Sequence, residues 1–167
     1  LNDELRSILL GTAGLWIAVV AALFLTLARG GVGASGERLR AAVRLAIVAV
    51  LVQAAHFAEE LATGFHRRFP DLLGLAPWPV GFFVSFNLFW LVIWGLSIRG
   101  LAPRRRAALF LLWFLGVASV ANGLAHPLLS LGTGGYFPGL VSSPIVGVAG
   151  VLLLRHLSRL TSPLGRY

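Results

Sequence analysis

Two carboxylates and an imidazole stand together in His56-Phe57-Ala58-Glu59-Glu60, inside a run from Leu45 to Ala62 that is otherwise mostly Ala, Val, Leu, Ile and Phe. An ionisable side chain at membrane depth costs roughly 3 kcal/mol on insertion scales, so such groups are rare and usually functional. On a helix, His56 and Glu60 are i and i+4 and share a face, with Glu59 beside them and Gln53 extending the stripe. Asn122 and His126 repeat the i, i+4 spacing later in the chain, with Ser119 on the same stripe. Facing helices that each present such groups inward are one way a bundle holds a metal. His56, Glu60, Glu59 and His126 offer nitrogen and oxygen ligands suited to zinc, iron(II) or manganese. Asn122 or Tyr136 would add a ligand or orient one. Two alternatives stay open: metal-free acid–base chemistry with one glutamate kept protonated by burial, and a structural role in which the carboxylates pair with histidines, or Glu60 with Arg67 or Arg68.

The elements that must position these residues are membrane spans. Of 167 residues only 12% are charged, half the fraction of about 25% in soluble domains, and the mean hydropathy is +0.86. Cysteine is absent, which excludes disulfides, thiolate metal sites and cysteine nucleophiles. Methionine is absent too, so Leu1 is not expected to be the translation start. All basic residues are arginine, which with abundant Ala, Gly and Leu points to a GC-rich bacterial genome. The net charge of +8 would indicate nucleic acid in a soluble protein. Here the arginines sit between apolar segments, and no nucleic-acid partner is expected.

A crossing needs about 20 apolar residues for roughly 30 Å of hydrocarbon. Five segments qualify, at about 7–28, 39–64, 80–98, 105–126 and 140–157, giving an all-α, five-helix membrane bundle in one domain, 1–167. Asn2-Asp3-Glu4 suits a helix start, and the first segment is expected to be a retained helix rather than a signal peptide. His66 to Asp71 reads as a loop, with His66 interfacial and not a ligand. Trp78, between Pro77 and Pro79, is expected at the membrane interface. His156, beside Arg155, is expected to be interfacial as well. Pro127 is expected to end or kink the fourth helix directly after His126. Gly132, Gly134 and Gly135 permit positive φ in a loop that holds Tyr136 and Pro138 over the site as a lid.

Five spans place Arg29, Arg38, Arg40, Arg44, Arg99, Arg104, Arg105, Arg106, Arg155, Arg159 and Arg166 on one side, against Arg6, Arg67 and Arg68 on the other. The positive-inside rule then puts the N-terminus outside and the C-terminus in the cytoplasm. Counted from Arg44, His56 lies about 18 Å and Glu60 about 24 Å along its helix; from Arg106, Asn122 lies about 24 Å and His126 about 30 Å. Asn87 falls about 10 Å below the outer end of the third helix. These groups share the outer half of the bilayer and can converge. Asn87 is a candidate for the same cluster, because an amide in lipid needs partners. Phe82, Phe83, Phe86, Phe89, Trp90 and Trp94 either wall an apolar pocket or face lipid and neighbouring helices.

Three short motifs occur in order: His56-Phe57-Ala58-Glu59-Glu60, then Asn122-Gly123-Leu124-Ala125-His126, then Tyr136-Phe137-Pro138-Gly139. Together they resemble the bacterial integral-membrane family named for its HXXEE motif, whose pattern adds N-x-x-x-H and Y-x-P-G. The resemblance implies a multi-span helical protein and nominates residues without naming a reaction. The leading expectation is a small metal-dependent enzyme of the bacterial inner membrane. It would act among membrane lipids on a lipid-like or other apolar small molecule, as a hydrolase, isomerase or oxidase. In it His56, Glu60 and His126 bind the metal, Glu59 is a ligand or general base, and Asn122 and Tyr136 orient the substrate. Gln53, Asn87 and Ser119 are candidates for the pocket. A metal-free cyclase or isomerase using Glu59 or Glu60 is the first alternative. A non-enzymatic ion- or lipid-binding or transport protein is the second, although conventional secondary transporters are built on inverted repeats and none is visible here.

Overall fold

A computed structural model describes residues 2–29, 31–32, 36–103 and 105–162. Arg104 and Arg166 of the basic set lie outside them. Helix α1 (Asp3–Gly11) begins where the Asn2 side chain accepts the backbone N–H of Leu5 at 2.8 Å, with Asp3 and Glu4 in the first turn. It starts earlier than the apolar run because this cap is polar. Helix α2 (Ala13–Ala28) continues the same span past a break at Thr12, whose hydroxyl donates to the carbonyl of Ile8 at 2.8 Å. Helices α3 (Gly36–Thr63), α5 (Val80–Ile98), α6 (Arg106–Thr133) and α7 (Ser143–Leu160) complete the set, and five spans are long and apolar enough to cross a membrane. A two-residue antiparallel pairing joins β1 (Gly31–Val32) to β2 (Thr161–Ser162) at the arginine-rich end. There the Arg29 guanidinium donates to the carbonyl of Ser158 at 2.8 Å.

Two local expectations need correction. Helix α6 runs through Pro127 and two turns beyond His126, to Thr133. The proline removes one backbone donor, but α6 is held along its length by its neighbours and stops instead at Gly134, whose φ of 71° makes a left-handed cap. The segment after Gly64 is a short helix, α4 (Phe65–Leu72), not a loop, and His66 on it is buried. Gly64 turns the chain there with φ 81°. Trp78 is buried within the protein, because Gly11 leaves a space for it: a Cβ at Gly11 would stand 2.2 Å from the indole.

Helix α6 is the central post, packed against α2, α3, α5 and α7. Trp113, Phe114, Leu112 and Leu115 form its buried belt. Small residues allow the close approaches that helices in lipid rely on. Ala18 and Ala22 of α2 and Ala42, Ala46 and Ala49 of α3 are buried at such contacts. The tightest is Gly123 on α6 against Gly147 on α7, where an added Cβ at Gly123 would meet the Gly147 Cα at 2.5 Å. This crossing lies one turn before His126.

Candidate metal centre

Helix α3 delivers His56 and Glu60 from one face, and α6 delivers His126. Oε1 of Glu60 lies 3.5 Å from His56 Nε2 and 3.3 Å from His126 Nε2. One ligand atom from each of the three residues lies within 4.8 Å of the others. The rings meet edge to face with centroids 4.7 Å apart. All three side chains are removed from solvent, His56 completely.

The surrounding hydrogen bonds determine what these atoms can do. His126 Nδ1–H donates to the carbonyl of Pro138 at 2.6 Å, so its Nε2 carries the lone pair. His56 Nδ1 lies 2.8 Å from Ser142 Oγ, and that hydroxyl makes a short hydrogen bond to Oε2 of Glu59. With its proton committed to the carboxylate, Ser142 Oγ accepts from His56 Nδ1–H, and His56 Nε2 is left bare. Buried His56 Nε2 has no hydrogen-bond partner among the described residues. Three acceptors therefore face one point, an arrangement that repels itself unless a cation or proton sits between them. Donors at about 2.0–2.1 Å from a tetrahedral zinc stand about 3.3 Å apart, which is the spacing of the two Glu60 contacts. The residues fit a divalent metal.

Glu59 does something else. Its Oε1 accepts from the Tyr136 hydroxyl at 2.7 Å and from Val141 N–H at 3.0 Å, and its Oε2 accepts from Ser142 N–H at 2.8 Å besides the Ser142 hydroxyl. Val141 and Ser142 lead into α7, so Glu59 caps that helix from outside and meets the positive end of its dipole. Both of its oxygens are committed, and it stands behind His56 rather than among the ligating atoms. Burial, then the bond to Glu59, push the Tyr136 phenol above its ordinary value near 10 and keep it a donor. Tyr136 is exposed and clamps Glu59; it does not line the cavity beside the centre.

Gly139 closes the centre. Its φ is 89°, and a Cβ there would fall 2.5 Å from His126 Cε1, 2.6 Å from His126 Nδ1 and 2.9 Å from His56 Cε1. Positive φ is found at Gly134 and Gly139 rather than at Gly132 or Gly135. Neither Ser142 nor Gly139 stood among the expected site residues. Ser142 was legible as a helix N-cap, since Ser-Ser-Pro is a common way to open a helix. Starting the fifth helix at Leu140 concealed it.

From Glu60 and His126 a cavity of about 260 Å³ runs between α2, α5 and α6. Gln53, Asn87 and Asn122 line it, as do Phe82, Phe83, Phe86, Trp90 and Trp94; Phe89 is exposed instead. Asn87 Nδ2 donates to the carbonyl of Phe83 at 2.9 Å. Ser119 is buried, its hydroxyl unpartnered among the described residues, and it does not line the cavity. His66 packs near Phe83 and is not part of the His56, Glu60 and His126 group; burial and then the neighbouring Arg67 hold it below the ordinary imidazole value. His156 sits near the far end of α7, with Nδ1 2.9 Å from the Leu152 carbonyl. No family model, curated protein or solved structure matches the chain.

Proposed function

We propose that this protein is an integral-membrane, metal-dependent enzyme acting on a lipid-like or otherwise apolar molecule, with His56, Glu60 and His126 as the metal ligands. One observation carries it: two imidazoles anchored at Nδ1 by Pro138 and Ser142 turn their Nε2 atoms, together with a carboxylate oxygen, toward one buried point. Three protein ligands leave a coordination position free, the pattern of catalytic rather than structural sites. Glu60 and His126 border the cavity, so that position faces an apolar space where a substrate can lie. A bound divalent ion would supply Lewis acidity or an activated water.

The chain's own residues have separate roles in this account. Glu59 holds Ser142, Ser142 holds His56, and Pro138 holds His126, so the imidazoles keep their orientation as the substrate changes. Asn122 and Gln53 present amides to the substrate, and the aromatic wall of α5 excludes water. The metal shell, the HXXEE-type family, the outward N-terminus and the bacterial inner membrane belong together here. Their support is the meeting of three motifs at one centre and the crowding of arginines at the opposite end of the bundle.

The metal-free alternative draws on the same 3.3 and 3.5 Å contacts, since a proton on Glu60 would also relieve the three facing acceptors. Metal analysis decides between them. Purified protein is expected to hold about one divalent ion per chain, and His126→Ala to hold none. Ion-free wild type after reconstitution with zinc, iron(II) and manganese would reject the metal.

A further inference from the structure

We infer that the cavity receives one hydrocarbon chain of a neutral, single-chain amphiphile, with its polar head at Glu60 and His126 and its tail running toward Trp94 and Phe114. This deepens the enzymatic reading above and rests on it for the location of the head. The length of the cavity sets the first constraint. Along α6 the lining runs from Leu129 to Phe114, of which the stretch from His126 to Phe114 measures about 18 Å at 1.5 Å per residue. One leaflet of hydrocarbon is about 15 Å deep, half of roughly 30 Å. A single acyl or prenyl chain matches that depth.

Volume supplies the second constraint. About 260 Å³ lies just below the range of ligand sites, about 300 to 1,000 Å³, which leaves no room for two chains. Charge supplies the third. No arginine lines the cavity among the described residues, and its one charged residue type at the head is the carboxylate of Glu60. In the ion-free protein a phosphate head would meet the Glu60 carboxylate and no cationic side chain.

Two further features specify the ligand. Gln53 and Asn122 line the cavity one to two turns below the ligands, about 6–10 Å along their helices. Gln53 is only 7% exposed, and neither amide bonds to another described side chain. A buried amide facing an apolar space wants a partner, which an ester, amide or hydroxyl near the head of the chain provides. The path in is lateral: α2 and α5 both pack on α6 yet barely touch each other, leaving a cleft toward lipid. Gly14 stands on its α2 edge with nothing within 4 Å of where its Cβ would be.

The test uses chelator-treated, detergent-purified protein and a monoacylglycerol with a brominated chain, read by quenching of tryptophan fluorescence. Saturable quenching is expected, with binding weakened at least tenfold in Gly14→Phe and in Ala121→Phe, which fill the cleft from its α2 wall and from α6 behind it. Lysophosphatidate and diacyl phosphatidylcholine carrying the same brominated chain are expected to give only non-saturating quenching. Saturable binding unchanged in both folded variants, or equally tight binding of the phosphate or diacyl probe, overturns the inference. Because metal is removed beforehand, a failed metal analysis leaves this result standing, and a failed quenching result leaves the metal analysis standing.

Discussion

Gly139→Ala is the sharpest perturbation of the centre, because two separable penalties meet there. A left-handed backbone costs a non-glycine residue roughly 1–2 kcal/mol. The new methyl would also lie 2.5 Å from His126 Cε1 and 2.9 Å from His56 Cε1, where ordinary contact needs about 3.5–4.0 Å. One or both rings must therefore retreat by about 1 Å, more than a metal–ligand distance tolerates, since those hold to about ±0.2 Å. Gly134→Ala isolates the first penalty: its φ is 71°, and its Cβ would meet nothing within 4 Å. Both variants should lose about 1 kcal/mol from the backbone, and Gly139→Ala more, through the crowded rings. Only Gly139→Ala should lose metal, by at least the 10–100-fold typical of a disturbed supporting shell. The assay is zinc affinity by competition with a chromogenic chelator, beside a thermal melt of each protein. Equal zinc affinity in Gly139→Ala and wild type would refute the geometry proposed for the histidine pair.

Other perturbations separate the parts of the same account. Ser142→Ala breaks the link between Glu59 and His56 and should weaken metal binding about 10–100-fold; equilibrium dialysis reads it, and unchanged affinity argues against the fixed tautomer. Gly123→Ala pushes a methyl to 2.5 Å from the Gly147 backbone. It should cost about 1–3 kcal/mol through forced separation of α6 and α7, visible as a lowered melting temperature. His66 is held below its ordinary imidazole value, so the fold binds fewer protons there than the unfolded chain. Its contribution is complete above about pH 6.5 and is lost as pH falls through the imidazole range. His66→Phe should flatten the melting temperature over that interval, and an unchanged acid slope would contradict this.

Much of this architecture is written in residue order. Hydrophobic length gives five spans, and the i, i+4 spacing of His56 with Glu60 and of Asn122 with His126 gives the faces that meet. What stays hidden depends on contacts between distant segments. Glu59 and Glu60 are neighbours in sequence, but the helical turn between them sends Glu60 to His56 and His126 and Glu59 to the start of α7. Nothing local distinguishes them. The extension of α6 past Pro127 reflects packing by neighbouring helices, which a proline rule does not see. Burial of Trp78 depends on the absence of a side chain at Gly11, a complementarity that only the assembled bundle reveals. Ser142 lay in plain view as a capping residue, yet its hydroxyl serves Glu59 and His56 instead of its own helix.

The most direct measurement is X-ray absorption at the zinc edge of reconstituted protein, compared with His56→Ala and His126→Ala. The account predicts about one zinc per chain with nitrogen and oxygen neighbours at about 2.0–2.1 Å, including two imidazoles in wild type and a disordered or empty site in each variant. A wild-type spectrum without imidazole scattering, or one identical to both variants, would contradict it.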